Sequence, residues 1–472
     1  MRSRFRDHST DRPSGWRLGF ASGFAAFAML LIGAAYVGSL IIHAHMAEIG
    51  PPRVAGTPLR VAAPDGDAVF VMTSQKETRI VGGAGRWSTY RGFETVVHFD
   101  LWRFDAAALR PVWRKRLLTD ARPNLSKVGV LGAEANRVWL FLGGPVVAST
   151  ASGEVVGGAA AIEDRNPALK NVVPLDEGHY RFFHGYGLVF TSANARAWRV
   201  DAATLEATPW DAKTAVKRPS AIGLPHYAPS SLATFQKRGL TLEQNWLGVL
   251  TEEEGEAMNR GPQVPGARPG ERRRAMAEFL EYTHAPPELS HTGPKRYRLW
   301  RSKVEHVSAA PAGWPKTLPD RWGKRPRYSA FAPFEKSPEF LQAGLLSDGR
   351  SRLPILLRDP DSVLVLHRDR IDDEGRLHVT RIAGPDGRTL WDAASPLSVL
   401  QSVMPGAGPL VLFGRAHVAP NRDMGDPYHD AHEWLISLDL ATGSARTFDL
   451  SAAGTAITRS DESRNPDPNT SR

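Results

Sequence analysis

Side chains suited to hold a metal crowd one short stretch, Asp423–Glu433, which reads DMGDPYHDAHE. Imidazoles and carboxylates together suit Zn²⁺, Mn²⁺ and similar ions, so Asp426, His429, Asp430 and His432 form a candidate ligand set for a metal-dependent hydrolase or lyase. His429 and His432 stand three apart, a spacing that a helix would align. Pro427 ahead of them and the apolar run that opens at Trp434 point instead to a loop, where spacing fixes little geometry. The favoured reading is a solvated loop with Asp426 or Asp430 capping a turn; the metal site is its rival. Asp65-Gly66-Asp67 and Asp372–Gly375 lack the ligand series of a calcium loop and read as hairpin turns. His179 and His184 flank the aromatics of HYRFFHGYG and are expected to be packed or hydrogen-bonded.

A second candidate is a surface rather than a centre. Residues 255–330 contain 15 Lys/Arg against 7 Asp/Glu, which supplies nearly all of the chain's net +9. Arg272, Arg273, Arg274, Lys295, Arg296, Arg298, Arg301, Lys324, Arg325 and Arg327 are interleaved with Tyr297, Trp300, Trp314, Trp322 and Tyr328. Cations with aromatics suit anionic glycans or lipid headgroups, each basic residue near an anionic membrane contributing about 1 kcal/mol. The alternative is structural, with arginines paired to surface carboxylates and the aromatics packing the segment down.

Missing residues narrow the chemistry further. Without cysteine there is no disulfide framework, thiolate metal site, Fe–S cluster, covalent haem or cysteine nucleophile. The chain contains no G-x-S-x-G elbow, no H-E-x-x-H, no phosphate-binding G-x-x-x-x-G-K-[ST] and no dinucleotide fingerprint. Two hydrolytic carboxylates leave no mark in a linear sequence, so that class stays open. No catalytic residue and no cofactor are assigned, and binding is favoured over catalysis.

The elements that would position these groups begin with a membrane anchor. Leu18–Ile42 is 25 residues without a charge, about 37 Å as a helix, enough to cross a hydrocarbon core of about 30 Å. The run is longer than a signal-peptide core and ends without a small-x-small cleavage site, so it reads as an uncleaved single-pass anchor. Arg2, Arg4, Arg6, Arg12 and Arg17 precede it, which places residues 1–17 in the cytoplasm and the rest outside a bacterial inner membrane, in the periplasm. Nucleic acid is therefore not an expected partner; the bilayer, an envelope protein or an anionic polymer is. Gly19 and Gly23 have G-x-x-x-G spacing, which such spans also show by chance.

After a linker at 43–58, residues 59–450 read as one mainly β domain. Short alternating apolar runs are punctuated by turns, and one unit recurs. LWRFDAAALRPVW (101–113) is echoed by AWRVDAATLEATPW (197–210), by LISLDLATGSARTF (435–448), and more weakly at 146–156 and 378–391. Each reads as strand, tight turn, and return strand with an aromatic that fills the gap to the next unit. Spacings of roughly 50 residues suit stacked small sheets, most simply a propeller of about 6–8 blades. Between about 212 and 340 the rhythm is lost, and a partly helical insertion is expected, with helices over Leu240–Asn259, capped at Thr241, and over Glu271–Thr283. Residues 451–472, with Ser, Asp, Asn, Pro and Thr throughout, read as a disordered tail.

The repeated unit, clearest at Trp198–Trp210 and Trp434–Phe448, resembles the blade of the quinoprotein-like (PQQ-like) β-propeller superfamily. The arrangement, including Asp361–Trp391 and Asp426–Glu433, is similar to an uncharacterised family of membrane-anchored proteobacterial proteins. That resemblance implies an anchored envelope protein. Dehydrogenases of the superfamily use an adjacent cysteine pair, which this chain lacks, whereas the superfamily also includes a scaffold in outer-membrane protein assembly. The resemblance thus implies a non-catalytic scaffold without a cofactor.

Overall fold

A computed structural model describes residues 49–63, 65–82, 91–120, 128–134, 136–183, 185–211, 221–222, 232–242, 244–260, 273–274, 277–278, 280, 295–308, 324–348, 362–372, 375–384, 386–416 and 432–453. The expected anchor Leu18–Ile42 lies outside them, as does the expected disordered tail 451–472 except residues 451–453, which are helical instead, with Ser451 buried and accepting from the Glu433 amide. Among the described residues no helix is long and apolar enough to cross a membrane.

The domain is mainly β, as the alternating pattern predicts, and its strands pair antiparallel in five sheets. The first sheet holds β1 (Arg53–Val54), β2 (Leu59–Val61), β3 (Ala68–Gly82), β4 (Arg91–Asp105) and β5 (Pro111–Asp120). The second holds β6 (Val128–Glu134), β7 (Arg137–Leu142), β8 (Pro145–Ser149) and β9 (Val155–Gly158), followed by helix α1 (Ala159–Arg165). The third comprises β10 (Tyr180–Phe183), β11 (Gly187–Thr191), β12 (Ala197–Val200), β13 (Ala207–Pro209) and β14 (Ala221–Ile222). A ten-stranded sheet follows. Its edge strand β15 (Gln236–Lys237) pairs with β21 of the rear half, and its front half has β16 (Gly239–Leu242), β17 (Asn245–Leu250), β18 (Arg296–Ser308), β19 (Lys324–Tyr328) and β20 (Ala332–Pro333). Its rear half has β21 (Phe340–Leu346), β22 (Ser362–Arg368), β23 (Leu377–Ala383) and β24 (Thr389–Ala394). Only Arg296↔Leu341 and Tyr297↔Phe340 join β18 to β21, so the halves meet at a corner. The last sheet is β25 (Val399–Met404), β26 (Leu410–Ala416), β27 (His432–Leu438) and β28 (Ala445–Asp449).

The repeated turn has one geometry. After Asp105, Ser149, Asp201, Ala383 and Asp439, the first residue's amide donates to the carbonyl five residues on, at 2.9–3.0 Å, and the amide four residues on donates back to the first residue's carbonyl, at 2.8–2.9 Å. The three aspartates accept two further turn amides through Oδ1, which explains why Asp recurs there. The fourth residue along is left-handed in every copy: Leu109, Gly153, Leu205, Gly387 and Gly443. Leucine pays about 1–2 kcal/mol for that conformation, and Leu109 and Leu205, both buried, recover it by removing a side chain from water.

Glycine at this position does a second job. A Cβ on Gly153 would lie 2.6 Å from the Trp113 ring, and one on Gly443 would lie 2.7 Å from Trp391. The return-strand tryptophan of one sheet thus packs on the turn of the next, as the sequence repeat predicts. Gly443→Ala combines a φ of 74° with that overlap, and is expected to destabilise the protein by about 2–3 kcal/mol. Urea unfolding followed by tryptophan fluorescence would measure it, and a loss below about 0.5 kcal/mol would refute the contact.

Apolar cores link the sheets in sequence. Phe70, Met72 and Leu101 of the first sheet pack on Val130, Val138 and Leu140 of the second. Trp139 and Phe141 pack on Tyr180, Phe182 and Phe190 of the third, with Ile162 of α1. Val249 and Leu299 of the front half meet Leu345, Val365 and Ile382 of the rear half, whose other face meets Leu400, Leu412 and Ile436 of the last sheet. The last sheet then returns to the first, with Met404, Val411, Phe413 and Leu435 against Val69, Val71, Trp102 and Phe104. Among the described residues none of the cores joins the third sheet to the front half of the ten-stranded sheet.

The expected helix over Leu240–Asn259 needs correction, because its first half is the β16–β17 hairpin. Trp246, Leu247, Val249 and Leu250 are buried on successive positions, which demands cover on both faces, and Gly239 and Gly248 make room for the Trp246 ring. Helix α2 (Glu252–Arg260) starts later. Its cap is Thr251 rather than Thr241: Thr251 Oγ1 accepts from the Glu254 amide at 3.2 Å while Glu254 Oε2 accepts from the Thr251 amide at 2.9 Å. Sheet therefore runs through the region expected to interrupt it, with α2 and the helical residues 273, 274, 277, 278 and 280 covering one face through Met258, Ala277 and Leu280.

Candidate functional site

The basic segment is positioned by β18 and β19. Successive strand residues point to opposite faces, and directly opposed residues of an antiparallel pair share a face. Glu305 opposes Arg327, Val307 opposes Arg325, and Ser308 opposes Lys324. Arg301, Lys303, Arg325 and Arg327 therefore share one face, on which these two strands place one acid, Glu305. Arg296, Arg298 and Lys324 belong to the other face, where Trp300, Val304 and Tyr328 are buried beneath α2. Thus the expected single surface is divided by the pleat.

On the outward face Arg301, Lys303, Glu305 and Arg327 are exposed and Arg325 is half-buried. Arg301 lies 4.7 Å over the Phe334 ring, a cation–π contact that holds its guanidinium. On the other face Arg296 pairs with Glu339 at 3.1 Å and Arg298 donates to the Phe334 carbonyl at 3.4 Å. Lys295 precedes β18, and Arg273 and Arg274 stand on the helical residues, with Arg274 3.6 Å from Glu278. Arg272 lies outside the described residues. Lys303, absent from the sequence candidates, belongs to the outward stripe because it stands two residues from Arg301.

The metal-ligand stretch has only His432 and Glu433 within the described residues. His432 Nδ1 lies 2.6 Å from Asp449 Oδ2 on the neighbouring strand, and Asp426, His429 and Asp430 lie outside. His179 ends a one-turn 3₁₀ segment and is exposed, so of the two expectations, packed or hydrogen-bonded, the first does not hold, while His184 lies outside the described residues. Asp65-Gly66-Asp67 is a turn between β2 and β3, and of the second stretch Asp372 and Gly375 are described, between β22 and β23. The Gly66 amide donates to the Ala63 carbonyl and the Gly375 amide to that of Asp372.

Ligand-type side chains converge elsewhere, on β22, β23 and β24. His367 opposes His378, and Thr380 opposes Asp392, so all four side chains share one face. His378 Nδ1 lies 2.9 Å from Asp392 Oδ2, and His367 Nε2 lies 3.4 Å from Asp392 Oδ1. Thr380 Oγ1 donates to Asp392 Oδ1 at 2.5 Å and lies 2.7 Å from His367 Nε2. The imidazoles are 5.3 Å apart, and the Phe340 ring walls His367 at 4.8 Å. Both rings are largely buried, whereas the Asp392 side chain is 43% exposed, which opens the group on one side.

The electrostatics are those of a tightly paired group. The hydrogen bond to Asp392 raises His378 above the ordinary histidine value against the effect of its burial. Burial would raise Asp392, yet bonds to His367, His378 and Thr380 hold its carboxyl far below the usual carboxylate range. Sequence spacing offers no sign of this group. Its members sit on three strands, and only the strand register brings them together.

No family model matches the chain, and no curated protein matches it. Among solved structures, that of BamB from Moraxella catarrhalis aligns with 84% of this chain and 91% of its own, at 10% identity and a TM-score of 0.16. At that score the likeness is too slight to argue from.

Proposed function

We propose that this chain is a membrane-tethered binding module: a single-pass anchor at Leu18–Ile42 holds a β-propeller-like domain in the periplasm, where it docks an acidic envelope protein or anionic polymer without catalysis. The observation that carries the binding role is the outward face of β18 and β19, where Arg301, Lys303, Arg325 and Arg327 oppose one acid. Such a stripe attracts an extended anion along its length, and the attraction weakens as salt screens it. The uncharged run of 25 residues with five arginines before it supports the anchor and its orientation. Passage of the core from sheet to sheet, with the last sheet returned onto the first, supports the propeller reading.

The test combines address and charge. Full-length protein should fractionate with membranes, and protease added to spheroplasts should digest its domain. Detergent-solubilised protein should be retained on immobilised poly-L-glutamate, and R301E/K303E/R325E/R327E should elute at markedly lower salt with unchanged circular dichroism. A protease-resistant domain would refute the address, and equal retention of the variant would refute the surface.

A further inference from the structure

We propose that His367, His378 and Asp392 form a binding site for a divalent transition-metal ion, Zn²⁺ being the best match to the donors. Two imidazoles and a carboxylate are ligands of intermediate hardness, suited to Zn²⁺, Co²⁺ or Ni²⁺ and poorly suited to Ca²⁺ or Mg²⁺, which take oxygen. Metal bonds of about 2.0–2.1 Å at tetrahedral angles set ligand atoms roughly 3.3 Å apart. His378 Nδ1 lies 2.9 Å from Asp392 Oδ2 and His367 Nε2 lies 3.4 Å from the other oxygen, Oδ1, each close to that value, and one ligand atom from each residue lies within 4.8 Å of the others. Small rotations of side chains already facing one another suffice to seat the ion.

The hydrogen bonding explains why a cation belongs there. A metal would take the His367 tautomer with hydrogen on Nδ1, for which the Arg368 carbonyl 3.3 Å away is a ready acceptor, so that Nε2, otherwise a donor to Asp392, offers the ion its lone pair. That lone pair and Asp392 Oδ1 both face Thr380 Oγ1, which has one hydrogen to give. In that tautomer one hydroxyl hydrogen serves two acceptors, His367 Nε2 and Asp392 Oδ1, and a metal ion would satisfy both.

Outer partners are also in place. The Arg368 carbonyl fixes the ring of His367, and the Thr380 hydroxyl orients the Asp392 carboxylate. Asp369 Oδ2 stands 4.0 Å from His378 Nε2, the nitrogen left over when Nδ1 binds the ion. Adjacent strands hold all three ligands, a stiffer frame than a loop. Exposure of Asp392 leaves a fourth position for water or a partner's ligand.

The experiment uses full-length protein in detergent, stripped with chelator and titrated with Zn²⁺ by calorimetry, with bound metal counted by elemental analysis. One equivalent is expected, weakened at least about tenfold by His378→Ala and by the near-isosteric Asp392→Asn, and unchanged by the double substitution His429→Ala/His432→Ala. Co²⁺ in place of Zn²⁺ should give visible absorption that His367→Gln alters. Circular dichroism confirms that each variant is folded, and Asp392→Asn keeps the test decisive if His378→Ala does not fold. No stoichiometric binding, binding unaffected by Asp392→Asn, or loss only in the His429/His432 variant would each overturn the proposal.

Discussion

Truncating Trp102 to alanine is expected to lower the stability of the domain by about 3–5 kcal/mol. The side chain is fully buried where the first sheet meets the last. Its ring stacks on Phe104 at 5.8 Å and meets Phe448 edge-on at 6.5 Å. The Arg114 guanidinium covers its other side at 4.5 Å, held by the buried Asp100. Nε1 donates to Thr73 Oγ1 at 3.0 Å, so truncation opens a cavity and also leaves a buried hydroxyl short of a partner. Domains are stable by only about 5–15 kcal/mol, so such a loss shifts a urea midpoint severely. Trp102→Phe keeps most of the volume and should cost about half as much. Because this residue sits where the first sheet packs on the last, the whole fluorescence transition should move. A separate early step confined to the first sheet would show that the return contact does not couple the first sheet to the last.

Much of this fold was legible because turn chemistry is local. Asp105, Asp201 and Asp439 advertise their turns through a carboxylate that can reach only the next few amides, and Gly153 and Gly443 advertise a left-handed residue under a tryptophan. The hairpin at 239–250 was misread for the opposite reason. Buried on both faces, its run from Trp246 to Leu250 lacks the alternation that marks a strand, and the acidic stretch beyond Thr251 gives it the look of a longer helix. Charge gave the right segment but not its geometry, since Arg298 and Arg301 lie three apart and the pleat sends them to opposite faces. The histidine–carboxylate group was not legible at all. Between His367 and His378 lies a turn, and between His378 and Asp392 another, so the meeting of these residues depends on register alone. The eye goes instead to Asp426–His432, where ligand types are adjacent in sequence.

Replacing Glu433 by alanine should cost about 2–4 kcal/mol, and by an amount that shrinks as pH rises. Its carboxylate is fully buried on β27 and ties three segments together. Oε2 accepts from the Val54 amide of β1 at 2.5 Å, and Oε1 from Arg415 of β26 at 2.9 and 3.0 Å. Alanine leaves a buried amide and a guanidinium without their acceptor, which is why the effect is large. Burial pushes the Glu433 carboxyl above the ordinary glutamate value, and the Val54 amide and Arg415 offset this only in part. Between pH of about 4.5 and that raised value, the unfolded chain has released a proton that the folded chain keeps, so stability falls as pH rises through the window. Alanine has no such proton. The gap between wild type and Glu433→Ala should therefore be widest near pH 4.5 and narrower at pH 7.5, where ion-pair intuition expects the reverse. Urea midpoints of both proteins at the two pH values decide between them, and a gap that widens at pH 7.5 would mean that Arg415 outweighs burial.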